Sequence, residues 1–159
     1  MTTAWSSGAG PPVHLGGGAA LTLVEGSTFC VSASSGDVLP DRAQGLFVAD
    51  TRVVSTWQLR VDGAPVEPLT TIEDDSYRAT FVARTVPRRG LADSTLLVQR
   101  TRYVGDGMRE DLLLRNVGPE AAGVLVGYTV RAAFADLFAV KEGRPSQLPD
   151  VEVDVGPDI

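Results

Sequence analysis

The segment from residue 95 to residue 117 constrains the fold most strongly, because it has the pattern of a complete β-hairpin. Two strand-like runs, residues 95–104 and 109–117, flank the tip Gly105-Asp106-Gly107. A three-residue loop fixes which residues face each other. The pairs are Arg102 with Glu110, Arg100 with Leu112, Val98 with Leu114 and Leu96 with Asn116. A two-residue loop would place Arg102 opposite Asp111 instead.

This register places charge on an apolar face. Side chains alternate along a strand, so Arg100, Arg102 and Glu110 share one face with leucine and valine side chains. Charged groups on a face that is buried need partners, because an unpaired buried charge is costly. The hairpin therefore predicts either an internal ion pair or a polar surface that meets a ligand or another domain.

The rest of the chain repeats strand patterns at a spacing of roughly ten residues, with turn signals between them. The predicted strands are residues 21–24, 28–31, 46–48, 51–61, 66–69, 77–84 and 124–132. Asp62-Gly63 predicts a hairpin turn that returns the chain through residues 66–69. Residues 73–75 are expected in a charged loop and residues 136–140 in a strand or a short irregular segment. Residues 151–155 alternate between valine and acidic residues, which is the pattern of a possible edge strand.

No long amphipathic helix is apparent, so the predicted fold is an all-β, antiparallel β-sandwich with few or no helices. Residues 1–19, rich in Ser, Gly and Pro, are expected to be a disordered tail, and residues 20–145 the sandwich. Residues 146–159 are expected to be a linker or an edge strand.

The charge of the chain excludes some partners. A net charge of −6 and an isoelectric point near 4.7 argue against nucleic acid and against an anionic membrane surface. No apolar run approaches the roughly 18 residues that span a bilayer. The single cysteine, Cys30, excludes an internal disulfide, and its strand position predicts a buried thiol. A cytoplasmic protein is the simplest interpretation.

The residue types in this chain give little support for a catalytic function. The single histidine, His14, lies in the predicted tail, so a Ser-His-Asp triad and a multi-histidine metal site are excluded. No metal and no other cofactor is expected. Four aromatic residues at alternating apolar positions are predicted to be core side chains, namely Trp57, Tyr77, Phe81 and Tyr128.

The remaining candidates are charges in or beside strands. The stretch from Gly45 to Arg52 puts Asp50 and Arg52 two residues apart, where an apolar run meets a long alternating strand. The full candidate set is Asp50, Arg52, Arg100, Arg102, Glu110 and Asp136. An internal network that fixes strand register and a surface that meets a ligand or a second domain are equally consistent with these residues.

Several of these motifs resemble one family. Gly45-Leu46-Phe47 followed by Asp50-Thr51-Arg52 and a tryptophan-containing strand is similar to the N-terminal domain of bacterial glycogen debranching enzymes of the amylo-α-1,6-glucosidase type. The spaced residues Arg100, Arg102, Glu110, Leu112 and Asn116 fit the same pattern, as does the run from Phe134 to Phe138. The resemblance covers residues 20–145. The chain departs from it at Ala133 and Ala139, where the family usually has acids, and at Lys141, where it has arginine.

The resemblance implies a supersandwich-like domain that precedes a larger (α/α)-barrel glycoside hydrolase domain, which carries the catalytic carboxylates. The expected function is that of a non-catalytic accessory domain that packs on this barrel and shapes the glucan cleft. The barrel of the same parent chain is the expected partner, and α-glucan is a further candidate ligand. An independent carbohydrate-binding module and a purely structural or dimerising sandwich are the alternatives.

Overall fold

The computed structural model describes residues 20–90 and 92–144, together with the backbone of residues 151–153. It contains ten strands and one short helix in these ranges. The elements are β1 (Leu21–Glu25), β2 (Thr28–Ser32), β3 (Gly45–Val48), β4 (Thr51–Val61), β5 (Glu67–Asp75), β6 (Arg78–Arg84), β7 (Leu96–Val104), β8 (Met108–Asn116), β9 (Val126–Asp136), α1 (Leu137–Lys141) and β10 (Val151–Val153). The predicted tail, residues 1–19, and most of the predicted C-terminal linker lie outside the described residues.

The strands form two antiparallel sheets, which confirms the predicted all-β sandwich. One sheet has six strands in the order β1-β2-β3-β4-β9-β10, and the other has four in the order β5-β6-β7-β8. The four-stranded sheet is a simple meander, because each strand pairs with the next in sequence. The longest pairing of the six-stranded sheet joins β4 to β9, and its register shifts twice near Val54.

The hairpin of β7 and β8 has the register that the three-residue loop predicts. Arg102 pairs with Glu110, Arg100 with Leu112, and Val104 with Met108 at the loop. Strands β1 and β2 also form the hairpin that the sequence indicates, with Gly26 at positive φ in its turn.

Two predictions around β5 are wrong. Asp62 and Gly63 form the expected turn, with φ of 52° and 77°. Its closure is limited to a bridge between Val61 and Ala64, after which the chain crosses to the other sheet and β5 pairs with β6. Residues 73–75 are the end of β5 and not a loop, because they continue the pairing with β6.

The core lies between the sheets in two clusters. One contains Leu23, Cys30, Leu46 and Phe81 among its buried members, and the other is centred on Leu59. Aromatic side chains follow the predicted core pattern only in part: Phe81 is buried, Trp57 and Tyr128 are half-buried, and Tyr77 is 38% exposed. Tyr77 lies in the two-residue turn between β5 and β6, which explains its exposure.

The C-terminal part contains a helix where the sequence predicts a strand or an irregular segment. Strand β9 ends at Asp136, whose side chain accepts a hydrogen bond from the Phe138 N–H at 2.8 Å and so caps α1. The predicted edge strand is present as β10, which pairs with β9. None of the described helices is long and apolar enough to cross a membrane.

Candidate functional site

Two arginines are the largest fully buried side chains among the described residues. Arg100 and Arg102 have 0% exposure and lie on the inner face of β7. Their common partner is Glu110 on β8, which lies directly across from Arg102 and whose side chain is 1% exposed. We call the group of Asp37, Arg100, Arg102 and Glu110, with Trp57 and Tyr128, the buried charge cluster.

Glu110 accepts hydrogen bonds on both carboxylate oxygens. Oε1 accepts from Arg100 Nε at 3.0 Å, from Trp57 Nε1 at 3.2 Å and from the Tyr128 hydroxyl at 2.9 Å. Oε2 accepts from Arg102 Nε at 3.0 Å and Nη2 at 2.6 Å. Trp57 and Tyr128 belong to the six-stranded sheet and Glu110 to the four-stranded one, so this carboxylate joins the two sheets.

Asp37 supplies the second negative charge, from the loop between β2 and β3. Its Oδ1 accepts from Arg100 Nη1 at 2.6 Å and from the Leu59 N–H at 3.1 Å. Its Oδ2 accepts from Arg60 Nη1 at 3.3 Å. Two fully buried guanidinium groups thus face two carboxylates, and the buried charge is balanced as burial requires.

Gly36 makes this arrangement possible. Its carbonyl oxygen accepts from Arg100 Nη2 at 3.2 Å and also from Arg102 Nη2. Its φ is +84°, and a Cβ built there would lie 3.0 Å from the Phe81 ring and 3.2 Å from Arg100 Cζ. Glycine is therefore favoured both by backbone conformation and by space.

The electrostatics keep Glu110 and Arg100 ionised. Burial alone raises the pKa of Glu110, but the guanidinium of Arg102, and then that of Arg100, outweigh it and hold this pKa below its ordinary value. Burial lowers the pKa of Arg100, and Glu110 and Asp37 reverse this so that its pKa is raised. Burial, followed by the charge of Glu110, raises the pKa of Tyr128, whose hydroxyl stays protonated as a donor.

Cys30 lies at the edge of the buried charge cluster. Its Sγ is 3.7 Å from Arg102 Nη1 and 3.8 Å from Met108 Sδ, and the residue is 1% exposed. Burial raises the pKa of this thiol, although Arg102 acts in the opposite direction. The thiol is thus a buried packing group, as its strand position predicts.

The other predicted site residues, Asp50, Arg52 and Asp136, lie together at one end of the six-stranded sheet. Thr51 pairs with Asp136 and Arg52 with Ala135, and the Leu137 N–H donates to the Asp50 carbonyl oxygen at 2.9 Å. The structure therefore divides the six predicted residues into two groups of three. Arg100, Arg102 and Glu110 form the first group, inside the sandwich.

Gly45 fits closely against the second group. A Cβ built on Gly45 would lie 2.7 Å from Arg52 Cδ and 2.7 Å from the Val54 carbonyl oxygen. The long side chain of Arg52 therefore passes directly over the start of β3. This contact explains in physical terms why a glycine precedes Leu46 and Phe47.

We call Ala49, Asp50, Phe134 and Phe138 the aromatic corner. Ala49 and Asp50 both have positive φ, 46° and 64°, a conformation that costs a non-glycine residue about 1 kcal/mol or more. The Asp50 carbonyl oxygen and the Ala49 N–H are held by Leu137 and Ser27. Phe134 lies in β9, two residues before Asp136, and is 50% exposed, and Phe138 lies in α1 and is 63% exposed.

Sequence reasoning missed Asp37, Trp57 and Tyr128 as members of the buried charge cluster. Asp37 follows Gly36 and has the pattern of an ordinary turn residue. Trp57 and Tyr128 fit an apolar alternation, but an indole N–H and a phenol O–H need acceptors when they are buried. The sequence signal for Trp57 and Tyr128 was therefore a side-chain donor that needs an acceptor, in a chain that also places Glu110 on an apolar face.

The fold and the cluster define a class: an antiparallel β-sandwich domain whose buried charged side chains are partnered by one another. Residues 23–155 match the family described as the N-terminal domain of (some) glycogen debranching enzymes, and the chain belongs to this family. No curated protein matched the chain.

The buried charge cluster should make stability depend on pH in the acid range. The folded-state pKa of Glu110 is lowered, so its contribution is present above the unfolded pKa of about 4.3 and is lost as the pH falls through the folded value. We expect the free energy of unfolding of wild type to exceed that of Glu110→Gln most at neutral pH. Urea unfolding at a series of pH values should show this difference shrinking below about pH 4. A difference that stays constant with pH would contradict the assignment.

Proposed function

We propose that this chain is a non-catalytic accessory domain that packs against the catalytic domain of a longer glycogen debranching polypeptide and forms part of one wall of its glucan cleft. Membership in the family supports the placement of this domain in a longer enzyme, since the family is the N-terminal domain of (some) glycogen debranching enzymes. The (α/α)-barrel that the sequence resemblance implies is the proposed partner. A cytoplasmic location is part of the proposal, because the single cysteine leaves the chain without an internal disulfide.

The aromatic corner is the observation that carries this proposal. Its two phenylalanines are more exposed than an apolar ring usually is in an isolated soluble domain. The two family motifs, residues 45–52 and 134–138, are remote in sequence and adjacent in space through the pairing of β4 with β9. Exposed apolar rings of this kind are a feature of surfaces that pack against another protein, where aromatic residues are enriched.

The state of Glu110 supports a non-catalytic role. A general acid in glycoside hydrolysis needs a carboxyl group with a raised pKa and access to the glycosidic oxygen. Glu110 has a lowered pKa, is buried, and accepts hydrogen bonds from four side chains. It is therefore suited to hold the sandwich together and unsuited to donate a proton to a substrate.

Replacement of the exposed rings tests the docking proposal. We expect the 159-residue chain to co-purify with a separately expressed catalytic domain encoded by the downstream reading frame. The Phe134→Asp/Phe138→Asp variant should lose about a hundredfold in affinity, because two buried aromatic anchors are removed. Isothermal titration calorimetry measures this loss. Leu125→Asp is the matched control, since Leu125 is 72% exposed and lies outside the aromatic corner.

Two further results would contradict the proposal. Glucose release from a branched α-glucan by the isolated chain would show that it is catalytic. Retention of the isolated chain on a glycogen affinity gel, with unchanged retention of the Phe134→Asp/Phe138→Asp variant, would instead support the carbohydrate-binding alternative.

A further inference from the structure

Strand β8 is an unprotected edge of the four-stranded sheet. Within the described residues it pairs with β7 alone, over its whole length from Met108 to Asn116. An edge strand of nine residues with regular pairing presents a row of unpaired N–H and C=O groups to a further strand. No proline and no register shift interrupts this edge.

The side chains of β8 contain a self-complementary pattern centred on Leu113. If two copies pair antiparallel with Leu113 facing Leu113 of the second copy, residues whose numbers sum to 226 face each other. Asp111 then faces Arg115 of the second copy, and the symmetry repeats this pair on the other side. Opposed residues in an antiparallel pair have Cβ atoms about 4.5–5.5 Å apart, within reach of an ion pair.

The neighbouring register is disfavoured by charge. Centring the pair on Leu112 would place Arg109 opposite Arg115 of the second copy, and like charges directly opposite destabilise a sheet. In the Leu113 register Asp111 lies between Arg109 of its own chain and Arg115 of the second copy. Arg109 already forms a forked pair with Asp111 at 2.8 Å and 2.9 Å, which holds the carboxylate in place on the outer face.

The same register buries the apolar side chains of β8 on both faces. Leu113 is 56% exposed on the outer face and would meet its own copy on the twofold axis. On the inner face, Leu112 and Leu114 are only partly buried. In this register, Leu112 of each copy would face Leu114 of the other copy. Apolar contact on both faces and charge pairing beside it are what a closed, isologous interface requires.

We propose that two copies of this chain associate through the free edge of β8, in antiparallel register with Leu113 on the twofold axis, to form a continuous eight-stranded sheet. This inference does not depend on the proposed function, because the aromatic corner is not part of the β8 edge. The association is β-strand addition between identical chains.

Charge reversal provides a direct test with the full 159-residue chain. In Asp111→Arg homodimers arginine faces arginine at both pairs, and in Arg115→Asp homodimers aspartate faces aspartate. Sedimentation velocity over a range of concentrations should show dimers for wild type and dissociation constants about tenfold to a hundredfold higher for each variant. Asp111 and Arg115 are exposed, so both variants should keep the native circular dichroism spectrum.

An equimolar mixture of the two variants should restore the association. In that heterodimer one pair joins the two introduced side chains and the other joins the two native ones, so an arginine faces an aspartate in both. Asp106→Arg at the exposed loop tip makes the same change in net charge as Asp111→Arg and is its control, which should dimerise like wild type. A wild-type chain that stays monomeric at all concentrations would overturn the proposal. So would a mixture no more associated than the separate variants.

Discussion

Replacement of Glu110 by alanine is expected to lower the free energy of unfolding by about 3–5 kcal/mol, because it leaves two buried guanidinium groups without their shared carboxylate. The side chains of Arg100 and Arg102 have 0% exposure and cannot be rehydrated without opening the sandwich. A domain of this size has a total stability of about 5–15 kcal/mol, so this loss is a large fraction of it. Urea unfolding measures the effect as a lower midpoint.

Glu67→Ala is the matched control for this experiment. Glu67 on β5 is also a glutamate directly across from an arginine, Arg84 on β6, but its side chain is 44% exposed. Exposed pairs contribute only about 0–1 kcal/mol. A loss below about 1 kcal/mol for Glu110→Ala, or equal losses for the two variants, would refute the structural role of the buried charge cluster.

Replacement of Asp37 by alanine is expected to cost about 3 kcal/mol, since it removes the acceptor of Arg100 Nη1 and of the buried Leu59 N–H. Arg100 keeps its bond to Glu110, so the loss should be smaller than for Glu110→Ala. Chemical denaturation gives the total effect. Amide hydrogen exchange at Leu59 gives the local effect and should accelerate more than at amides on the four-stranded sheet.

Asp37→Asn separates hydrogen bonding from charge at this position. The asparagine side chain keeps an acceptor oxygen for Leu59 and Arg100 and lacks the negative charge. We expect it to retain most of the protection of the Leu59 amide and to lose less stability than alanine. If alanine and asparagine gave the same exchange rate at Leu59, the hydrogen bond from the Asp37 side chain would not be the cause.

Local rules predicted the β7–β8 hairpin because its register depends on a single loop. Once three residues separate Val104 from Met108, every pair along both strands follows. The same local rules identified Arg100, Arg102 and Glu110 as charges on an apolar face. They left Trp57, Tyr128 and Asp37 unassigned as partners, since those residues meet Glu110 or Arg100 only when the two sheets stack.

The errors in the predicted strands also arise because local rules do not specify which elements pack together. Asp62-Gly63 has the chemistry of a hairpin turn and forms one, but turn chemistry does not decide which strand follows in the sheet. Residues 137–140 leave the strand pattern because Asp136, the last residue of β9, caps a helix that begins at Leu137. Whether Asp50, Arg52 and Asp136 meet a second domain stays a prediction, since their surroundings depend on a partner.

Cys30 gives the native chain an internal probe of core opening. A thiol reagent needs access to a thiolate, and this sulfur lies beneath Arg102 and beside Met108, where burial disfavours the thiolate. Chemical labelling can therefore proceed only through states in which the sheets have separated at this place. The rate of modification then measures the population of those states, without an engineered label and with one reactive atom per molecule.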